Sequence, residues 1–297
     1  MSTFEIISTE DLLVNLENPD FKIFDVSTSL IPSASGVGYD ARELKHTWIV
    51  SRIPNSVYLD VNRYLSEPTN SVRYGVPGKK KIIDFMFEHD LGYEDHIILY
   101  ERSPSIWAPR VWWILTSYGF NNVKLLDCYL DHWESLGLPV QEGLFKKEAK
   151  RQQKKIFDKF NINPTMWISK REVQNGLIEE NLILVNTLSP TVFRGSEVKY
   201  GRAGHIPGSI NIYYKLFTTR VAERFLPESV CRDILNQFIN LKEDKPIALY
   251  CGGGVSACLV AFVIRSLFIE RQVLVYDGSL IEWMSSKINP VSTLPPV

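Results

Sequence analysis

The feature that most constrains this chain is that it repeats itself. Tyr100 and Tyr250, Asp127 and Asp277, and Trp133 and Trp283 are each separated by 150 positions, and each pair sits in a matching context. His96-Ile-Ile-Leu-Tyr100 reads like Pro246-Ile-Ala-Leu-Tyr250, and Val123-Lys-Leu-Leu-Asp127 like Val273-Leu-Val-Tyr-Asp277. Between these runs lie helix-like apolar stretches, Val111 to Tyr118 and Ala257 to Phe268. A self-match at a fixed long period is the signature of a duplicated structural unit. Upstream, Phe21-Lys-Ile-Phe-Asp25-Val corresponds to Leu182-Ile-Leu-Val-Asn186-Thr, and Arg52-Ile-Pro54 to His205-Ile-Pro207. The first copy carries about eight more residues between these points, a length change expected in a surface loop.

Each short apolar run suits a strand buried on both faces, and strands that alternate with helical segments imply a mainly parallel sheet flanked by helices. The expected organisation is α/β, with one domain over residues 1–140, a linker over 141–165 and a second domain over 166–297. The 297-residue length fits two such units. The linker contains Lys146-Lys-Glu-Ala-Lys-Arg-Gln-Gln-Lys-Lys155, which reads as a solvated segment because no aromatic platform accompanies it.

A formal net charge of −1, from 33 basic and 34 acidic residues, supplies no field for nucleic acid or an anionic membrane surface. No run approaches the roughly 20 apolar residues of a membrane span. The four cysteines are scattered and form no CxxC pair, which suits a reducing compartment. The N-terminal stretch is too acidic for a transit peptide, so the cytoplasm is the expected location in preference to the mitochondrion.

The copies differ most at the turn after the central strand, where open α/β sheets place their ligands. The second copy reads Tyr250-Cys251-Gly252-Gly253-Gly254-Val255-Ser256-Ala257, while the first reads Tyr100-Glu101-Arg102-Ser103-Pro104-Ser105. Three glycines let the backbone curl, with positive φ where needed, so that successive N–H groups converge on the Cys251 sulfur. The positive end of the following helix adds to this, and both effects favour the thiolate, the nucleophilic form. The same cradle, Gly252 to Ser256, would hold the outer sulfur of a cysteine persulfide.

Other loop chemistries fit less well. A P-loop needs a lysine after its glycines, and none follows. The dinucleotide pattern is met only with Ala257 in third place, although Asp277 lies at a suitable distance for a ribose contact. A cysteine phosphatase needs an arginine where Ala257 stands.

These residues resemble the tandem-domain thiosulfate and 3-mercaptopyruvate sulfurtransferases of the rhodanese superfamily. The resemblance rests on Phe24-Asp25-Val26-Ser27, Arg52-Ile-Pro54, Ala108-Pro-Arg-Val-Trp-Trp113, Gly204-His-Ile-Pro-Gly208, Cys251-Gly-Gly-Gly-Val-Ser-Ala257 and Tyr276-Asp-Gly-Ser279 with Glu282-Trp283, and it covers nearly the whole chain. It implies two tandem rhodanese-like domains with the site between them. The first is non-catalytic, with Glu101 at the cysteine position. It further implies a Cys251 persulfide loaded by a small donor and unloaded by cyanide, a thiol or thioredoxin, with no metal or organic cofactor.

The loop is closer to the mercaptopyruvate type, Cys-Gly-Ser-Gly-Val-Thr, than to thiosulfate enzymes with basic residues after the cysteine. Four positions depart from that type. Gly253 replaces a serine, Val192 an arginine that holds the donor carboxylate, and Asn62 and Tyr74 an aspartate and a histidine. A second family arginine aligns with Lys199 or Arg202. Arg194 and Arg202 are the candidates to replace the missing clamp. The departures also leave open a rhodanese-like binding or regulatory module. Cys258 reads as a core thiol, His205 as part of a turn, and Trp107, Trp112, Trp113, Trp133 and Trp283 as core or interface residues.

Overall fold

The computed structural model describes residues 5–92, 94–144, 163–218, 225–240 and 243–293. Most of the expected linker, including its lysine-rich run, lies outside the described residues. Each half contains one five-stranded sheet in which all neighbouring strands are parallel. Across the first sheet the order is Ile6–Ile7, Val123–Leu126, His96–Tyr100, Phe21–Asp25 and Val57–Tyr58. The second follows the same plan, with Trp167–Ile168, Val273–Tyr276, Ile247–Tyr250, Ile183–Asn186 and Ile210–Asn211.

The duplication extends to register and hydrogen bonds. Asp25 lies opposite Tyr100, and Asn186 opposite Tyr250. The Asp25 carboxylate accepts from the Ser27 N–H at 2.8 Å, as the Asn186 side-chain oxygen does from Leu188 at 2.9 Å. Tyr100 and Tyr250 each pair with a serine hydroxyl, Ser56 and Ser209, both at 2.7 Å. Their hydroxyls also accept from the N–H of Ile53 and Ile206, inside the matched Arg52-Ile-Pro and His205-Ile-Pro turns. His205 stacks on Phe193 with ring centroids 3.7 Å apart and bonds its carbonyl, so it serves this turn.

The extra length of the first copy is not a plain surface loop. It contains an antiparallel hairpin, Thr28–Pro32 with Tyr39–Glu43, for which the second sheet has no counterpart among the described residues. At its turn the Gly38 N–H donates to the Lys199 carbonyl at 2.6 Å, so the hairpin is tied across to the other half.

The helix after each central strand forms the contact between the halves. In Val255–Leu267 every residue except Arg265 is buried, which follows from a sequence apolar on all sides and marks a helix covered all round. It packs on Ala108–Ser117, with the Trp112 ring meeting Phe262 edge-to-face at 4.9 Å. Such a pair adds about 0.5–1.5 kcal/mol beyond its burial. One cluster of buried side chains runs without a break from Phe24 and Leu99 in the first half to Leu249 and Phe262 in the second. Trp107, Trp113, Trp133 and Trp283 are fully enclosed. Among the described residues, no helix is long and apolar enough to cross a membrane.

Candidate active site

Cys251 follows directly on the strand Ile247–Tyr250, and the helix Val255–Leu267 begins four residues later. The thiol therefore stands at the carboxyl end of the central strand, beside a helix start. Residue 251 is only 3% exposed, but it lines a cavity of about 350 Å³ between the halves.

The loop backbone is held from behind. The carbonyl of Cys251 accepts from the Leu280 N–H at 3.1 Å, and that of Gly252 from Ile281 at 2.9 Å. The Gly254 carbonyl accepts from the Arg110 guanidinium at 3.2 Å and from the Cys258 thiol at 3.1 Å. In a planar trans peptide the carbonyl and the following N–H point in opposite directions. The N–H groups of Gly252, Gly253 and Val255 are thus turned away from these donors. Among the described residues, the N–H groups of Gly252, Gly253 and Gly254 have no acceptor, and no side chain caps the helix. The first turn of a helix adds its own unpaired N–H groups. Such an arrangement attracts an anion.

The glycines are required for different reasons. Gly254 alone of the three has positive φ, +79°, so the conformational freedom expected of the whole run is needed only there. A Cβ on Gly252 would collide with the Tyr200 ring, and one on Gly253 would press on Tyr74 at 3.2 Å. Ser256 faces the cavity, and its hydroxyl lies 3.2 Å from that of Thr187.

In the first copy the Glu101 carboxyl stands at the cysteine position on a longer turn, with the helix Ala108–Ser117 beginning seven residues after it in place of four. One Glu101 carboxylate oxygen accepts from the N–H groups of Trp107 and Ala108, at 2.7 and 3.1 Å, and from the Ser105 hydroxyl at 2.6 Å. Burial, set against these hydrogen bonds, raises its pKa from 4.5 to about 7.

The cavity wall is mainly apolar and aromatic. The hairpin contributes Thr28, Ser29, Leu30 and Tyr39, and Tyr74, Leu188, Val192, Tyr200, Tyr213 and Tyr214 continue it. The cation among its lining residues is Lys199. Its ammonium group pairs with Glu197 at 2.9 Å and lies 5.5 Å from the centre of the Tyr39 ring.

Neither arginine expected to clamp the donor lines the cavity. Arg202 points its guanidinium at the carbonyls of Asn289, Ser286 and Trp283, at 3.0, 3.0 and 3.4 Å, where it braces the C-terminal segment. Arg194 ends the helix Pro190–Arg194, and its neighbour Val192 faces the cavity. Two residues along a helix is a rotation of about 200°, which turns Arg194 to the other side. Asn62 donates to the Ala41 carbonyl at 3.3 Å and is likewise absent from the wall. Tyr74 does line it, but its hydroxyl is engaged by the Tyr39 carbonyl at 2.6 Å.

Arg110 is not marked as a site residue by the sequence, although it sits inside the quoted Ala108-Pro-Arg-Val-Trp-Trp113 motif. It comes from the first half, is 1% exposed, and pairs with Asp277 at 2.6 Å. That pairing occupies the carboxylate the dinucleotide pattern would direct at a ribose. Cys258 is fully buried, and burial pushes its thiol up to about 12, the behaviour of a core residue. None of the four cysteines forms a disulfide. Among the described residues, no three His, Cys, Asp or Glu side chains are grouped to hold a metal ion.

The sequence profile of the rhodanese-like domain matches residues 8–136 and again 169–286. The 3-mercaptopyruvate sulfurtransferase of Homo sapiens is 27% identical over 247 residues, covering 82% of this chain and 80% of its own length. The enzyme of the same name from Escherichia coli O157:H7 is 26% identical over 299 residues, covering 99% and 100%. Among solved structures, the Tum1 protein of Saccharomyces cerevisiae superposes with a TM-score of 0.79 at 21% identity, over 99% of both chains. SseA of Escherichia coli, described as a 3-mercaptopyruvate sulfotransferase with the rhodanese fold, gives 0.78 at 22%, over 93% of this chain and 98% of its own.

Proposed function

The chain belongs to the rhodanese-like domain family, and on that premise we propose that it is a sulfurtransferase that carries sulfur on Cys251. The observation that supports this most is the loop itself. A nearly buried thiol in the wall of the cavity is bordered by peptide N–H groups whose carbonyl partners are tied off on the far side.

In the first step the Cys251 thiolate attacks the thiol or sulfane sulfur of a small donor, and an S–S bond forms. With 3-mercaptopyruvate, the favoured donor, the carbon–sulfur bond breaks and its electron pair leaves as the enolate of pyruvate, which then takes up a proton. With thiosulfate, the sulfur–sulfur bond breaks and sulfite departs with the pair. In the second step cyanide, a thiol or reduced thioredoxin attacks the outer sulfur of the persulfide and regenerates the thiolate. This is double displacement through a covalent intermediate. Gly252, Gly253, Val255 and Ser256, which line the cavity with Cys251, border the persulfide. Gly254, expected from the sequence to do the same, is not in the wall and serves the turn through its positive φ. Lys199 meets the negative end of the donor.

The domain over 166–297 carries the chemistry and that over 1–140 completes the cavity. The absence of disulfides among the four thiols is in keeping with a reducing compartment, and the cytoplasm is the location we favour.

A second reading, a weakly active or inactive binding module, is favoured by Val192, an apolar residue in the cavity wall where the family pattern has the carboxylate-binding arginine. Steady-state kinetics separate the two. A sulfurtransferase releases pyruvate from mercaptopyruvate, or sulfite from thiosulfate, with the parallel-line pattern of double displacement, and Cys251→Ser abolishes it. A binding module gives turnover with neither donor.

A further inference from the structure

We propose that Arg110, a residue of the half that lacks a cysteine at its loop, is a positioning residue for the Cys251 loop, fixing the peptide that presents the Val255 N–H. The inference rests on the reading of Cys251 as the reacting thiol. Arg110 lies in the helix Ala108–Ser117 and is 1% exposed. Its guanidinium donates to the Tyr74 carbonyl at 2.6 Å and the Gly254 carbonyl at 3.2 Å, and forms an ion pair with the Asp277 carboxylate at 2.6 Å. Asp277 is fixed in turn by the Val76 N–H at 2.9 Å. Carbonyls and a carboxylate are thus gathered around one guanidinium, with contributions from both halves.

Three peptides of the loop are oriented by donors outside it. Two of those donors, the N–H groups of Leu280 and Ile281, come from the second half. For the third peptide, Gly254–Val255, one donor is Arg110 and the other is the weakly donating Cys258 thiol. Gly254 has positive φ and no side chain, so on that side the peptide has little steric restraint, and the Arg110 hydrogen bond adds to the restraint that Val255, as first helical residue, supplies on the other. A turned peptide would direct a carbonyl at the sulfur in place of an N–H and repel the anion. The strong pairing with Asp277 holds Arg110 where it prevents this. Arg110 does not line the cavity, so it acts through the loop and not on the donor. This gives the first half, with Glu101 in place of a thiol, a part in shaping the reacting loop of the second.

The test is the rate of alkylation of Cys251 by iodoacetamide at fixed pH, followed by peptide mass spectrometry in the full-length protein, for wild type, Arg110→Gln, Arg110→Lys and the interface control Trp112→Phe. Glutamine is shorter and neutral, and its rate constant is expected to fall about a hundredfold, the scale of a misplaced catalytic donor, while labelling still runs to completion. Lysine keeps the charge and three donors, so Arg110→Lys should recover most of that loss. Trp112→Phe should melt earlier yet label at the wild-type rate. With mercaptopyruvate or thiosulfate, kcat should fall in Arg110→Gln without a matching rise in KM. An unchanged rate constant in folded Arg110→Gln overturns the proposal. So does a loss confined to the labelled fraction, or an equal loss of rate in Trp112→Phe. Alkylation needs no sulfur donor, so a wild-type protein inert to every donor would defeat the sulfurtransferase reading while the labelling rates still decide the role of Arg110.

Discussion

Tyr74 packs its ring against the backbone of Gly253, so closely that a Cβ there would lie 3.2 Å from the ring. The family pattern has histidine and serine at these positions, and the chain departs from it at both together. A bulky ring at 74 and a missing side chain at 253 are two sides of one steric fit. Gly253→Ser alone is expected to displace Tyr74 and lower turnover with mercaptopyruvate, whereas Gly253→Ser with Tyr74→His should turn over faster than Gly253→Ser. The coupling between neighbours in contact is about 1 kcal/mol, measurable by comparing kcat/KM across the two single variants and the double. Additive effects would show that the two sites are independent.

Lys199 and Arg202 should separate binding from stability. Lys199 faces the cavity, and Lys199→Ala is expected to raise KM for an anionic donor about tenfold with little change in melting temperature. Arg202→Ala strips donors from three carbonyls and should destabilise the fold by about 1–3 kcal/mol while leaving KM unchanged. Urea unfolding together with initial rates reads both effects.

The buried carboxyls of the first half set a pH dependence of stability. Burial raises Asp25 to about 6 and Glu101 to about 7. Both therefore hold a proton in the folded chain at pH values where the unfolded chain has released it. The resulting stabilisation is fully present below the ordinary carboxyl range and is lost as pH climbs through about 6 and 7. Glu101→Gln, which keeps an oxygen for the Trp107 and Ala108 N–H groups, should lose less stability between pH 5 and pH 8 than wild type. Equal losses in urea midpoint would contradict the assignment.

The continuous core predicts that the halves unfold together. Phe262→Ala empties the edge-to-face contact with Trp112 and should cost about 3–5 kcal/mol. Calorimetry should show one transition in wild type and one at lower temperature in the variant. Two separated transitions would mean that the halves are independent units.

The fold is legible in the sequence because duplication leaves marks at every level. The 150-residue offset of Tyr100 and Tyr250 becomes an identical strand order and a matched pair of tyrosine hydroxyl contacts. The loop of Cys251 is legible for the same reason, since a thiol and three glycines stand where the other copy has Glu101. What one copy cannot reveal about the other is how they meet. Arg110 is far from Gly254 along the chain, and only the crossing of two helices brings them together. Arg194 and Arg202 are both close in sequence to the family position of the clamp, which is why they stand out in the sequence. Side-chain direction, set by helix rotation at Arg194 and by the C-terminal carbonyls at Arg202, takes both away from the cavity. The hairpin that carries Tyr39 reads as mere loop length because its partner in the cavity, Lys199, belongs to the other half.

The central claim is that sulfur resides covalently on Cys251, and intact mass spectrometry tests it most directly. After brief incubation with mercaptopyruvate or thiosulfate and removal of excess donor, the protein should be heavier by one sulfur atom, mapped to the Cys251 peptide and discharged by cyanide. Cys251→Ser should gain nothing. An unchanged mass with both donors, or a sulfur gain that survives Cys251→Ser, would contradict the claim.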